Sequence, residues 1–365
     1  MTGRERLTNI LNRQPTDRVA WTTLVDDKTR SVMPPDVRAM PVLDFYRYIE
    51  CDILQFGNYG LPADCQVQLP CQLVPPETQT RQTLSPEGLL TTETETEWGT
   101  LTATFREGHP LRHPVQSPEE LRTFTNLWLN SRCEEVDGAE ESFARAEAAL
   151  GDDGAYVPTL APSPVQQLIE LDMGMAGFYY LLQDCPREMA RLMEAMQHCR
   201  RQEYEITARR MPALALILVE NTSTTMISPS VYRTYSLPQV RDFVEAAHRH
   251  GKRAILHMCG HLKDLLPVIR ETGFDGVNGL TPPSIGDTHF EEALDLLGED
   301  FIILGGVFSG DPFHQGAATA EEIGRALNEM LTPRIRKANF LLWVAADGLP
   351  TPLARFLAVR DWFRS

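Results

Sequence analysis

The feature that most constrains this chain is a repeat of short β-branched or aliphatic runs, each followed by a helical stretch. VAWTTLV (Val19 to Val25), DILQFG (Asp52 to Gly57), YVPTLAP (Tyr156 to Pro162), ALALILVEN (Ala213 to Asn221), RAILHMCG (Arg253 to Gly260), GVNGL (Gly276 to Leu280), FIILGGV (Phe301 to Val307) and FLLWVAADG (Phe340 to Gly348) read as strands. Helical patterns fall between them at 41–50, 117–130, 140–150, 186–210, 237–250 and 262–272. About eight strands in strand-then-helix order predict a parallel α/β sheet closed as a TIM (β/α)8 barrel. A doubly wound open sheet is the competing arrangement, but no GxGxxG segment follows an early strand. Thr2 to Asn12 places Leu7, Ile10 and Leu11 on one helical face ahead of the first strand. Met189, Met193 and Met196 show helical spacing and are expected to be core packing.

Residues 61–114 differ in kind. CQVQL, TRQTL, LLTTETETEWG and TLTATF are Thr-rich alternating segments, the pattern of antiparallel hairpins with one solvated face. The expected organisation is one barrel domain over residues 1–365 with a β-rich insertion at 61–114.

Composition excludes several functions. With 365 residues, 42% hydrophobic and 23% charged, the chain has material for a large core. Its formal net charge of −16 opposes non-specific attraction to nucleic acid or anionic lipid, so neither is an expected partner. No apolar run reaches the roughly 18 residues of a membrane span, and the charged start MTGRERLTNILNRQPTDR lacks the apolar core of a secretory signal. A cytoplasmic location is expected. Seven cysteines, odd in number and without a CxxC pair, point to reduced thiols rather than a disulfide framework or a cysteine-only zinc knuckle.

In an α/β barrel the reactive side chains sit at the carboxyl ends of the strands. Here those ends carry Asp26 and Asp27, Asn58, Ser163, Glu220 with Asn221, His257 with Cys259, Asn278, Ser309 with Asp311, and Asp347. His257-Met258-Cys259-Gly260 is the sharpest feature. Two residues apart on a strand share a face, so an imidazole and a thiol converge there as two zinc ligands. A catalytic zinc takes three protein ligands, and Glu220, His261 and Asp347 are the candidates for the third. Glu220 follows six apolar residues, where desolvation raises a carboxyl pKa and suits acid/base work or metal binding. Asp311 and His314, with Lys28 and Arg30, are placed to meet an anionic substrate.

Over nearly its whole length the chain resembles the uroporphyrinogen decarboxylase superfamily, and within it the corrinoid-dependent methyltransferases. RERLTNILNRQPTDRVAW, TEWGTL, HPLRHPVQSPEEL, ISPSVYRTYSLPQV, HGKRAILHMCGHLKDLLPVIRETGFDGVN, LTPPSIGD and LGEDFIILGGV carry the match in family order. The decarboxylases bind porphyrinogen carboxylates with an Arg-Gln-Ala-Gly-Arg segment after the first strand. This chain reads TTLVDDKTRSV there, which disfavours that activity. The methyltransferases hold Zn²⁺ with His-x-Cys and a later cysteine, and His257 and Cys259 match the first two ligands. At the third position stands Ala346, and Asn278 stands where relatives often carry Glu.

The resemblance implies a zinc-dependent methyltransferase that moves a methyl group between a small-molecule donor or acceptor and a corrinoid (cobalamin) held by a separate protein. In it His257, Cys259 and Glu220 hold the metal, Glu220 and Asp347 serve catalysis, and Asp26, Asn58, Asn221, Asn278 and His261 line the substrate pocket. Two other expectations stand beside it: a decarboxylase or lyase using Asp26 or Asp27 against a developing positive charge, and a barrel that has lost catalysis and only binds.

Overall fold

The computed structural model describes residues 1–283, 285–307, 319–345 and 348–365. Its parallel strands are β1 (Ala20–Leu24), β2 (Ile53–Phe56), β9 (Gly154–Val157), β10 (Thr159–Leu160), β11 (Ala215–Val219), β12 (Arg253–His257), β13 (Gly276–Asn278), β14 (Ile302–Val307) and β15 (Asn339–Ala345). Seven form one sheet in the order β1-β15-β14-β13-β12-β11-β10, and β2 pairs with β9. Asp52 N donates to Trp21 O across the β1/β2 gap at 2.7 Å, and Pro158, between β9 and β10, accepts from Ile217 N at 2.9 Å. Each parallel strand therefore neighbours the next in chain order, and β15 returns to β1, the cyclic adjacency of a TIM-like barrel.

Two apolar layers follow from the strand period of two. Ala20, Leu54, Val157, Ala215, Ile217, Ile255, Ile302, Leu304, Leu341 and Trp343 form one buried cluster with Leu7, Ile10 and Leu11 of helix α1 (Gly3–Leu11). The alternate residues Leu216, Leu218, Leu256, Val277, Ile303 and Leu342 join the larger cluster beneath the outer helices. In that second layer Met189, Met193 and Met196 are buried as core, as their spacing predicts. α1 sits at the strands' amino ends, where Leu11 O accepts from Arg253 Nε at the start of β12 at 2.9 Å. An apolar face plugging that end leaves the carboxyl ends for a ligand.

Between β2 and β9 the chain makes β3 (Cys71–Val74), β4 (Gln79–Leu84), β5 (Leu89–Thr96), β6 (Gly99–Arg106), β7 (His109–Arg112) and β8 (Arg132–Glu135). β4 to β7 form a four-stranded antiparallel meander, as the alternating Thr pattern predicts. β3 pairs instead with β8, a strand that lies past residue 114 and between two segments read as helices. Among the described residues no helix is long and apolar enough to cross a membrane.

Candidate functional site

His257 ends β12 and shares its face with Ile255 of the inner cluster. Its Nδ1 lies 2.6 Å from Asn278 Oδ1 on β13. Asn278 Nδ2 points to Leu304 O at 3.5 Å, which turns the amide oxygen toward the imidazole. An amide oxygen accepts, so Nδ1 is the nitrogen that donates to it. Gly279, at φ +89°, lets the backbone pass close behind His257: a Cβ there would stand only 2.8 Å from Met258 O. Phe56 at the end of β2 stacks on His257 at 6.3 Å between centroids and meets Trp343 edge-on at 4.5 Å. Trp343 is 5% exposed, and its Nε1 has no hydrogen-bond partner among the described residues.

Cys259 falls beyond the strand, which stops at His257, so a shared strand face is not what places it. Its thiol donates to Asn221 Oδ1 at 2.7 Å, and Gly260, at φ +93°, makes the turn that follows. Asn221 is itself in the left-handed region at φ +37°, held there by its N–H to His257 O at 2.7 Å. Its Nδ2 donates to Glu170 Oε1 at 3.0 Å. Gln166 Nε2 donates to both Glu170 Oε2 and Asn221 O at 3.1 Å, and Thr222 Oγ1 donates to Gln166 Oε1 at 2.9 Å. Glu170 sits in a π-helical turn, Leu168–Asp172, a local widening frequent at functional sites.

Glu220 departs from the expected placement. β11 ends at Val219, and Glu220 continues the register of Leu216 and Leu218, which face the helices. Its carboxylate is fully buried and accepts from Ser163 N at 3.0 Å and Ser163 Oγ at 2.8 Å. Burial pushes its pKa up to about 7 against those two hydrogen bonds, with the Glu170 charge adding to the rise. The desolvation read from LALILVE is present, but the group it perturbs is turned toward Ser163.

The remaining predicted residues hold loops. Asp26 Oδ1 accepts from Thr29 N and Thr29 Oγ1 at 2.6 Å, and Oδ2 accepts from Gly348 N at 2.9 Å. Burial raises its pKa, but these hydrogen bonds and one from Tyr59 outweigh it and keep the carboxyl below its ordinary value. The Asn58 side chain brackets Val67, donating to its O at 2.9 Å and accepting from its N at 2.7 Å. His261 has an exposed side chain, and its carbonyl accepts from Thr224 N at 2.9 Å. Ser309, Asp311, His314, Ala346 and Asp347 lie outside the described residues.

The donor set can now be compared with zinc. A His whose Nδ1–H is held by an amide oxygen is oriented as metal-bound imidazoles are. Yet among the described residues no three His, Cys, Asp or Glu side chains converge to hold a metal ion. His257 and Cys259 are two donors, Glu220 faces the helices, and Asn221 Oδ1 occupies the thiol proton. A three-ligand zinc set therefore does not form among the described residues.

Sequence reasoning missed Phe56, Trp343, Gln166 and Glu170. Phe56 was findable as the last inward residue of β2. Gln166 and Glu170 stand four apart after the third barrel strand, a helical pairing that carried no signal of function by itself.

A family model described as uroporphyrinogen decarboxylase (URO-D) matches residues 160–347, just over half of the chain. The chain belongs to that family. Among solved structures it is similar to a methyltransferase from Methanosarcina mazei at 14% identity, with 100% of each chain covered and a TM-score of 0.59. At that identity the likeness concerns the fold. No curated protein matches the chain.

Proposed function

We propose that the chain is a methyltransferase that moves a methyl group between a small substrate and a corrinoid carried by a separate protein. The observation that carries this reading is the imidazole of His257, fixed through Nδ1 by Asn278 beside Cys259 at the open end of the strands. A methyl group passes between nucleophiles as a cation, so the site must hold or release the proton of the nucleophile that gains it. The His257 imidazole is the group we assign to that proton, and Phe56 and Trp343 supply apolar wall for a methyl group. The corrinoid enters through the family resemblance, which the URO-D match and the methyltransferase fold support.

A second reading, decarboxylation of a carboxylated substrate, draws on Asp26. Its carboxylate stays ionised, is partly exposed and lies two residues beyond the end of β1, as an electrostatic partner for developing positive charge at the strand ends must.

One experiment separates the two. The protein is mixed with methylcobalamin and a panel of small thiols, and with cob(I)alamin and small methyl donors, while corrinoid absorption is followed. Methyl transfer predicts turnover lost in His257→Ala and Cys259→Ser and retained in Asp26→Asn. No corrinoid turnover with wild type under any pairing overturns it. Release of CO₂ from a carboxylated substrate, lost only in Asp26→Asn, would then favour the second reading, and neither signal would favour a binding barrel.

A further inference from the structure

The β3/β8 ribbon lies outside the ring of barrel strands, packed against the helix Pro186–Arg210. Its register sets Cys71 opposite Glu135 and Leu73 opposite Cys133. Residues two apart on a strand share a face, so Cys71 and Cys133 are diagonal neighbours on one side of the ribbon. Between them and the helix is a small cavity of about 50 Å³ lined by Cys71, Leu73, Cys133, Cys199, Arg200 and Glu203. The two thiols are neighbours on that face of the ribbon and on the cavity wall, and neither is in a disulfide.

The pair is chemically unequal. The contact with Cys71 lowers the Cys133 pKa against burial and the Glu203 carboxylate, and the Arg200 guanidinium adds to the lowering. The contact with Cys133, together with burial, pushes the Cys71 thiol up. Cys133 is half-buried while Cys71 is buried. Cys199, the third thiol on the cavity, is buried and donates to Ser131 O at 3.7 Å. A partly accessible thiol on a cavity wall shared with a guanidinium, with a buried second thiol beside it, is the arrangement of a reactive cysteine and its resolving partner.

We propose that Cys133 is an oxidant-sensitive thiol and Cys71 its resolving partner, the two closing to an intramolecular disulfide when the protein meets a low-molecular-weight disulfide. With glutathione disulfide the Cys133 thiolate attacks one glutathione sulfur, the S–S bond breaks and one glutathione thiolate leaves. Cys71 then loses its proton and attacks the Cys133 sulfur of the mixed disulfide, expelling the second glutathione. The two protein thiols are oxidised and one glutathione disulfide is reduced to two glutathiones. The inference is independent of the methyl-transfer reading, since neither cysteine touches the strand-end site.

The test treats the native full chain with glutathione disulfide and maps peptides by mass spectrometry without reduction. The expected product is a Cys71–Cys133 cross-linked peptide, with Cys133 modified about tenfold faster than the buried Cys51 and Cys199. Cys133→Ser should yield no cross-link. Cys71→Ser, with Cys71→Ala as a second variant and circular dichroism checking both folds, should leave glutathione on Cys133. Cys199→Ser should cross-link at the wild-type rate. An unmodified Cys133 in wild type, a Cys133–Cys199 cross-link, or an equal cross-linking rate in guanidinium would each overturn the proposal.

Discussion

His257 Nδ1 and Asn278 Oδ1 stand 2.6 Å apart on neighbouring parallel strands, and the pair is set by register: His257 lies opposite Asn278 in the β12/β13 ladder. The amide orients the imidazole without adding charge to a buried layer, which a carboxylate at 278 would do. An amide oxygen facing Nδ1 favours the tautomer that carries its proton there.

Replacing Asn278 by Leu removes the acceptor of a half-buried imidazole N–H. The expected loss is about 1–3 kcal/mol of unfolding free energy, measured by urea denaturation with Asn278→Asp as comparison. Methyl transfer, once assayed, should fall in Asn278→Leu with the substrate KM nearly unchanged, because the amide acts through His257.

Glu220 predicts a pH dependence with a definite sign. Its folded-state pKa of about 7 lies above the ordinary 4.5, so between those values the unfolded chain has released a proton that the folded chain retains. Stability should therefore be highest below about pH 4.5 as far as this group is concerned, fall as pH rises to about 7, and be flat above. A shift of this size corresponds to roughly 3 kcal/mol across the window. Asp172, whose pKa burial also raises to about 7, contributes in the same direction. Glu220→Gln, which can still accept from Ser163 N and donate to Ser163 Oγ, should flatten part of the slope and stabilise the protein at pH 8. Equal slopes for wild type and Glu220→Gln in denaturation series across pH would show that the carboxyl is not held in this environment.

The repeat of strands and helices was readable because each barrel strand is a continuous apolar run, but the same continuity hid which way Glu220 faces. LALILVE carries no polar alternation, since both faces of a parallel barrel strand are buried. Which residues turn inward is decided by register against β10 and β12, not by local pattern. His257 escaped this ambiguity because a polar residue closing such a run stands out. Cys259 was assigned to a strand face on the assumption that β12 runs on to Gly260, whereas it ends three residues earlier and Asn221 is what meets the thiol. β8 went unread because RCEE is four residues long and its partner lies about sixty residues away in sequence. The π-helical turn carrying Glu170 has no residue signature at all.

Asn221 combines a left-handed backbone with two side-chain hydrogen bonds, and substitutions can separate these. Asn221→Ala keeps the strained φ and loses the contacts to Cys259 and Glu170, so a cost of about 1–3 kcal/mol is expected. Asn221→Gly loses the same contacts but adopts φ +37° freely, and should be less destabilised than the alanine variant. Thermal denaturation of the two side by side reads the difference. If alanine and glycine were equal, the backbone at 221 would not be strained.

The unpartnered indole of Trp343 makes the last prediction. Trp343 stands beside Thr22 on β1 and Gly306 on β14, nearly fully buried, and its N–H meets no acceptor among the described residues. A buried donor left unpaired costs about 1–3 kcal/mol, so Trp343→Phe removes that penalty while opening a small void. The two effects are opposed, and the net change in stability should stay within about 1 kcal/mol. Trp343→Ala removes the whole ring and should cost about 3–5 kcal/mol. Urea denaturation of both variants decides the matter. A phenylalanine variant nearly as unstable as the alanine one would mean that the N–H is satisfied by solvent in the strand-end cavity. A near-neutral one would leave the indole N–H as a donor held ready for an acceptor atom on the ligand, and binding of that ligand should then weaken in Trp343→Phe.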